Sequence, residues 1–147
     1  MKAVAFSYFS PATLKDALNR LAAGTDIVKP MGGCQSFGPM LNMRLVRPNT
    51  VVDLSQLAEM QDVVEQDGYI RIGAGVTHAQ IEDGAFVPLR GSMLQEVAAG
   101  IAYRAIRNRG TVGGSLAHAD PAADWVVTMT ALGAQLELAS PEGTRVV

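Results

Sequence analysis

The run Gly110–Ser115 contains the residue types in this sequence that best suit an anion. Small hydroxyl side chains and two glycines, Gly113 and Gly114, would let a ligand approach the backbone N–H groups closely. Asp120 can cap a helix that has Pro121 at its first position, and that helix would turn the positive end of its dipole toward the ligand. The run therefore predicts a phosphate or diphosphate cradle, although a double glycine is also typical of an ordinary turn.

A second glycine segment, Gly32–Ser36, directly follows a predicted strand at Ile27–Met31. Open α/β sheets bind ligands at the point where a strand ends in such a loop. Two glycine loops that face each other could hold one diphosphate from both sides. Neither loop has the spacing G-x-G-x-x-G, so the usual dinucleotide-binding fingerprint is not indicated.

Apolar spacing and turn residues predict the elements that would position these loops. The expected helices are 14–21, a short turn at 39–45, 77–81, 92–102 and 121–132, and the expected strands are 27–31, 50–54, the hairpin 63–72 and the hairpin 135–147. Residues 1–56 then form a small N-terminal lobe. Residues 57–147 form a second lobe, which we expect to be incomplete.

The composition excludes several classes of function. Of 147 residues 48% are hydrophobic and 18% are charged, with a net charge of −2, which suits a packed core and gives no signal for nucleic acid. No apolar run has the length of a membrane span, and the N-terminus does not resemble a signal peptide, so cytoplasm is the expected compartment. The single cysteine, Cys34, excludes an internal disulfide framework and a multi-cysteine metal site, and we predict no metal ligands. No nucleophile is paired with a base, so no catalytic residue is assigned.

Three segments together resemble the FAD-binding medium subunit of molybdenum hydroxylases, the family of aerobic carbon-monoxide dehydrogenase and xanthine dehydrogenase. They are Gly32–Ser36 with its continuation through Asn42–Leu45 to Val52–Leu54, Ile72–His78, and Ile106–Asp124. The match runs through essentially the whole chain in the family's order, and the last segment is highly specific.

The resemblance implies an α+β chain with a two-lobed FAD-binding fold of the vanillyl-alcohol-oxidase (PCMH) type, a small N-terminal α/β lobe plus a second mixed-sheet lobe. It implies an oxidoreductase subunit whose FAD passes electrons to an external acceptor. The partners would be a molybdopterin-binding large subunit and a small subunit with two [2Fe-2S] clusters. The alternatives are a docking module without flavin, or a self-contained flavin oxidase of the same wider fold, against which the missing substrate domain argues.

Carried over residue by residue, the resemblance implies FAD contacts in both loops and at Asp124, on the ribose or adenine half. His118 and Asp120 lie in the same stretch and complete the candidate set. The cofactor-binding candidates are Lys29, Pro30, Met31, Gly32, Gly33, Cys34, Gln35, Ser36, Thr111, Val112, Gly113, Gly114, Ser115, His118, Asp120 and Asp124. His118 can instead brace the loop, and both aspartates can instead cap helices.

The sequence departs from the family pattern in two ways. The first loop is one residue longer than the commoner Gly-Gly-Gln-Ser form, with Cys34 as the apparent insertion. Family members are also roughly twice as long, so we expect the end of the second lobe and a third domain to be missing here.

Four further side chains have a structural interpretation beside a functional one. We interpret Cys34 as a small buried residue rather than a reactive or flavin-linked thiol. We interpret His78 as structural, since it follows a helix-capping threonine. Arg107 and Arg109 can pair with phosphate or fix the loop to nearby carboxylates, and we favour the carboxylates.

Overall fold

The computed structural model describes residues 2–24 and 26–147. A three-stranded parallel sheet organises the N-terminal part, with β1 (Ser7–Phe9), β2 (Val28–Met31) and β3 (Thr50–Asp53) in the order β1–β3–β2. Tyr8 is in register with Val51 on one side of β3, and Lys29 is in register with Val51 on the other. Because all three strands run the same way, their carboxyl ends meet at one edge of the sheet.

Helix α1 (Leu14–Ala22) covers this sheet and confirms the predicted helix at 14–21. Thr13 caps it, since its side chain accepts a hydrogen bond from the Asp16 N–H at 3.1 Å. The fully buried Ala17 packs with Val52 and with Leu57, which follows β3. This cluster fixes the central strand in place.

Strand β2 confirms the strand expected at 27–31, but it is not buried, although a short apolar run is typical of a buried strand. Lys29 and Pro30 are exposed, whereas all four residues of β3 are buried. The reason is that β2 lies at the edge of the sheet, where a proline is tolerated because no neighbouring strand needs its N–H.

Helix α2 (Phe37–Asn42) follows β2 after the glycine segment and confirms the short helical turn, shifted toward the N-terminus. Beyond β3, strands β4 (Val63–Gln66) and β5 (Tyr69–Ile72) form the predicted antiparallel hairpin. A 3-10 turn at Ala58–Met60 connects the sheet to this hairpin.

Helix α3 (His78–Glu82) begins with a capping box between Thr77 and Gln80. A second 3-10 turn (Val87–Leu89) leads to α4 (Met93–Gly100), which confirms the helix expected at 92–102. Its buried positions are Leu94 and Ala98. Met93, at the first position, is 48% exposed.

The stretch expected to be a loop contains two helices, α5 (Arg104–Arg107) and α6 (Val112–His118). Helix α7 (Asp124–Ala131) begins three residues later than Pro121, where we had expected it. Asp120 does not cap α7, because its carboxylate accepts the Ala122 N–H at 2.9 Å and closes a turn before the helix.

The core of the second region combines α3, α4, α6 and α7. Its buried members are Val76, Ile81, Leu89, Leu94, Ala98, Val112 and Trp125. Strands β6 (Glu137–Ser140) and β7 (Gly143–Val146) then form the predicted C-terminal hairpin. Within residues 2–24 and 26–147, no helix has the length and apolar content needed to cross a membrane.

Candidate functional site

The first glycine segment lies at the carboxyl edge of the parallel sheet, between β2 and α2. From Gly32 to Phe37, six consecutive backbone N–H groups have no acceptor among the described residues. The chain does use oxygens of this loop, since the Gly38 N–H donates to the Cys34 carbonyl at 3.0 Å and the Gln35 amide donates to the Gly33 carbonyl at 2.7 Å. The backbone N–H donors of this loop are therefore unpaired within the described residues, as in the backbone concavities that bind anions.

Cys34, the apparent insertion, is in the left-handed region with φ 62°. Left-handed residues occur regularly in the backbone concavities that bind anions, and Cys34 stands in the middle of the row of donors. The side chain is half-buried, and burial raises the pKa of the Cys34 thiol although the charge of Arg109 opposes this. The thiol therefore stays protonated near neutral pH, which agrees with the interpretation of a structural cysteine.

The two glycine segments touch each other. A methyl group on Gly33 would overlap the Arg109 carbonyl oxygen and would lie 2.7 Å from Gly110 Cα. A methyl group on Gly32 would lie 2.9 Å from Thr111 Oγ1. Gly33 therefore lets the two backbones meet, and Gly32 leaves room for the Thr111 hydroxyl.

The second segment differs from our expectation of an open loop with free N–H groups. Thr111 caps α6 through a 3.1 Å hydrogen bond from the Gly114 N–H, and the Ser115 N–H donates to the Thr111 carbonyl at 3.0 Å. The N–H groups of Val112 and Gly113 donate at 3.0 Å to Val76 and Ala74, respectively. Only the Thr111 N–H of this run has no acceptor in the described part of the chain. The second segment is thus a wall of the site more than a source of donors.

Two residues beside the first loop were not among the site candidates, Tyr8 and Asp53. Asp53 ends β3 and is only 6% exposed, and its carboxylate accepts hydrogen bonds from the Tyr8 hydroxyl and, at 2.9 Å, from the Ser55 N–H. Burial raises the pKa of Asp53, but these hydrogen bonds and the charge of Arg109 outweigh it and hold the pKa below its usual value. A polar residue at the end of a buried strand was the signal in the sequence that pointed to this edge.

Arg107 and Arg109 have different surroundings. Arg107 forms a two-pronged ion pair with Glu82 at 2.7 and 2.9 Å, which confirms the expected role of fixing the segment to a carboxylate. Arg109 has no carboxylate within ion-pair distance among the described residues, yet its charge acts on both Cys34 and Asp53. Its guanidinium therefore adds positive potential beside the open N–H groups.

The remaining candidates are spread around this centre. His118 is exposed at the last position of α6, one helical turn beyond Gly114 and Ser115 and about 10 Å from Thr111 for a helix of this length. Asp124 is exposed at the first position of α7, where a carboxylate is favoured by the helix dipole. Lys29 borders a surface depression of about 440 Å³ with Ile27 and Leu45.

Curated relatives match this chain over nearly its whole length. The nicotine 6-hydroxylase medium subunit of Paenarthrobacter nicotinovorans is 39% identical over 147 residues, which are 100% of this chain and 52% of that subunit. The carbon monoxide dehydrogenase medium chain of Afipia carboxidovorans is 32% identical over 142 residues, which are 97% of this chain and 49% of that one. The chain thus spans about half the length of the curated relatives it matches.

Solved structures share the fold. Quinoline 2-oxidoreductase from Pseudomonas putida 86 matches with a TM-score of 0.91 and 40% identity, over 100% of this chain and 51% of that one. Cu,Mo-CO dehydrogenase in its cyanide-inactivated form matches with a TM-score of 0.94 and 32% identity, over the same shares. The resemblance inferred from the three sequence segments is confirmed, and so is the FAD-binding α+β fold.

The family model described as "FAD binding domain in molybdopterin dehydrogenase" matches residues 4–147. That range covers both glycine segments and all the elements of the fold. The chain therefore belongs to the family of FAD-binding domains of molybdopterin dehydrogenases.

Proposed function

We propose that this chain binds FAD non-covalently and serves as the electron-transfer domain of a multi-subunit molybdenum hydroxylase. The observation that carries the proposal is the row of six open N–H groups from Gly32 to Phe37, closed on one side by Arg109–Thr111. A diphosphate has the charge and the several acceptor oxygens that such a row requires. Charge-assisted hydrogen bonds of this kind contribute roughly 1.5–3 kcal/mol each.

The protein's part in this function is to bind and orient the cofactor. Bound FAD would supply the redox chemistry, because it can take up electrons and pass them on singly or in pairs. The Gly32–Phe37 amides would hold the diphosphate, and the Thr111 N–H and the Arg109 guanidinium would add to the positive potential. Because the α6 donors from Val112 to Ser115 are already satisfied, those residues would shape the wall of the cleft, with the exposed Gly114 on its surface.

The other candidates have secondary roles in this proposal. Asp124 would contact the ribose or adenine half of FAD, and Lys29, Pro30 and Met31 would line the approach to the first loop. The exposed position of His118 favours a contact with a partner or with solvent over a contact with the diphosphate. Asp120 would act by shaping the turn between α6 and α7.

The proposed complex follows from the relatives. Several of them are named as medium subunits or FAD subunits of dehydrogenases, among them the carbon monoxide and nicotinate enzymes. By analogy, electrons would reach this FAD from two [2Fe-2S] clusters on a small subunit, after a molybdopterin-binding large subunit has oxidised the substrate. We propose the cytoplasm as the compartment, supported by the single free cysteine.

A titration of the apo-protein with FAD, ADP, FMN and riboflavin tests the proposal. We expect FAD to bind best and ADP, which keeps the diphosphate, to compete with it, whereas FMN and riboflavin should bind at least about a hundredfold more weakly. Equal affinity for FAD and riboflavin would contradict a diphosphate site. No binding of FAD or ADP would favour the docking module without flavin. Flavin that stays with acid-precipitated protein would indicate a covalent bond, with Cys34 and His118 as the residues to replace.

A further inference from the structure

A buried hydrogen bond joins two elements on the far side of the second glycine segment. The indole Nε1–H of Trp125, in the first turn of α7, donates to Nδ1 of His78, the first residue of α3, at 2.9 Å. Trp125 is 1% exposed and His78 is 5% exposed. An imidazole nitrogen that accepts a hydrogen bond carries no proton, so His78 is neutral with its proton on Nε2.

The same histidine also contacts the segment that closes on the first loop. Its backbone N–H donates to the Gly110 carbonyl at 3.0 Å, and a methyl group on Gly110 would lie 2.7 Å from Nε2. Gly110 lies between Arg109, whose carbonyl packs on Gly33, and Thr111, whose hydroxyl packs on Gly32. A displacement of the His78 ring would therefore be transmitted to both contacts with the first glycine segment.

We propose that His78 is a positioning residue for the diphosphate site: held by Trp125, it keeps Arg109–Thr111 against Gly32 and Gly33. The inference rests on the proposed function, because it concerns the affinity of the same site. His78 touches no ligand in this account. It couples the first turn of α7 to the segment that closes on the first loop.

The charges around His78 favour the neutral ring that this role requires. Burial lowers the pKa of His78 to about 4, with Asp124 of α7 opposing the shift and Arg107 of α5 adding to it. Arg107 is itself paired with Glu82 of α3. The Trp125 hydrogen bond therefore persists throughout the neutral pH range.

Three variants of this chain distinguish a loss of FAD affinity caused by lost positioning from one caused by lower stability. His78→Asn keeps an acceptor oxygen near the position of Nδ1, His78→Leu removes the acceptor, and Leu89→Ala weakens the same core without touching the Trp125–His78–Gly110 connection. FAD affinity is measured at a temperature at which circular dichroism shows each variant to be folded. Trp125 is the only tryptophan, so its emission reports directly on the hydrogen bond.

We expect His78→Leu to weaken FAD binding by about tenfold or more and to shift the Trp125 emission to shorter wavelength. His78→Asn should restore most of the affinity and the wild-type emission, and Leu89→Ala should bind FAD about as well as the wild type. Wild-type affinity in folded His78→Leu, or an equal loss in His78→Asn, would overturn the proposal. If the wild type binds neither FAD nor ADP, the proposed function fails instead. Amide exchange at Arg109–Thr111 then decides whether His78→Leu releases the segment, as positioning requires.

Discussion

The two glycine segments of this protein have similar sequences but opposite hydrogen-bonding states. Gly32–Ser36 leaves its N–H groups open at the edge of a parallel sheet, whereas most of those in Gly110–Ser115 are satisfied by the cap of α6 and by Val76 and Ala74. Glycines allow close packing in both segments, since a methyl group on Gly33 would overlap the Arg109 carbonyl oxygen and one on Gly113 would overlap Ala74. A glycine-rich run therefore indicates close approach, but only the hydrogen bonds show whether the approaching group is a ligand or the protein itself.

The largest effect should come from the point where the two segments touch. In Gly33→Ala the new methyl group would meet the Arg109 carbonyl, which is backbone and has little freedom to move. We expect the segments to separate, with FAD binding weakened by about a hundredfold or more and the free energy of unfolding reduced by about 1–3 kcal/mol. Flavin titration and denaturant unfolding measure the two effects.

Gly100→Ala is the matched control for this substitution. Gly100 ends α4 with no heavy atom in the way of a methyl group, so the variant should bind FAD normally and be as stable as the wild type or more stable by up to about 1 kcal/mol. If Gly33→Ala bound FAD and unfolded like Gly100→Ala, the close contact between the two segments would not be needed for FAD binding.

Acid should destabilise the fold through the buried His78. The unfolded chain takes up a proton at His78 near pH 6.5, but the folded chain takes it up only near pH 4, because burial lowers this pKa. The free energy of unfolding should therefore fall as the pH falls from about 6.5 to about 4, by up to about 3 kcal/mol. Denaturant unfolding across this range measures the slope. His78→Asn should remove this part of it, and an unchanged slope in that variant would assign it to other groups.

A comparison of Gly114→Val with Thr111→Val shows whether FAD affinity depends on open space at residue 114 or on the capping of α6. Both should destabilise the chain by about 1 kcal/mol, because valine at 114 collides with Thr111 Oγ1 and valine at 111 removes that oxygen. Only Gly114→Val adds bulk at an exposed position of the cleft wall, so it should also lose about tenfold or more in FAD affinity. An equal loss of FAD affinity in the two variants, measured by titration, would mean that FAD binding depends on the cap of α6 and not on open space at residue 114.

The smallest effect should come from the inserted residue of the first segment. Cys34 has φ 62°, which glycine adopts freely and a β-branched residue adopts only with strain. Cys34→Gly should keep FAD affinity and stability close to the wild type, while Cys34→Val should be less stable than Cys34→Gly by about 1–2 kcal/mol. Thermal unfolding with flavin titration distinguishes them. Loss of FAD from Cys34→Gly would point to a direct role for the thiol.

Local signals in the sequence predicted much of the fold. The helix at 14–21, the threonine cap before His78, the hairpin at 63–72 and the strand before Gly32 each depend on neighbours within a few residues, and each is confirmed. The pairing of β1 with β3 could not be predicted from local signals, because it joins Ser7 to Thr50, which are far apart in the sequence.

The errors have physical causes too. Helix α6 was missed because Gly113 and Gly114 are poor helix formers, and it forms through the Thr111 cap and the hydrogen bond from Val112 to Val76. Asp120–Pro121 has the sequence of a helix start but forms a turn instead. The site was predicted as two equivalent loops because sequence shows where glycines lie and not where their N–H groups donate.

Amide hydrogen exchange of the chain, free and with saturating FAD, tests this difference between the two segments most directly. In the free chain the amides of Gly32–Phe37 should exchange fast and those of Gly113–Ser115 slowly, because only the latter have acceptors. FAD and ADP should protect Gly32–Phe37 and change Gly113–Ser115 little, and riboflavin should protect neither. Protection confined to Gly113–Ser115, with Gly32–Phe37 still exchanging fast in the FAD complex, would contradict the account.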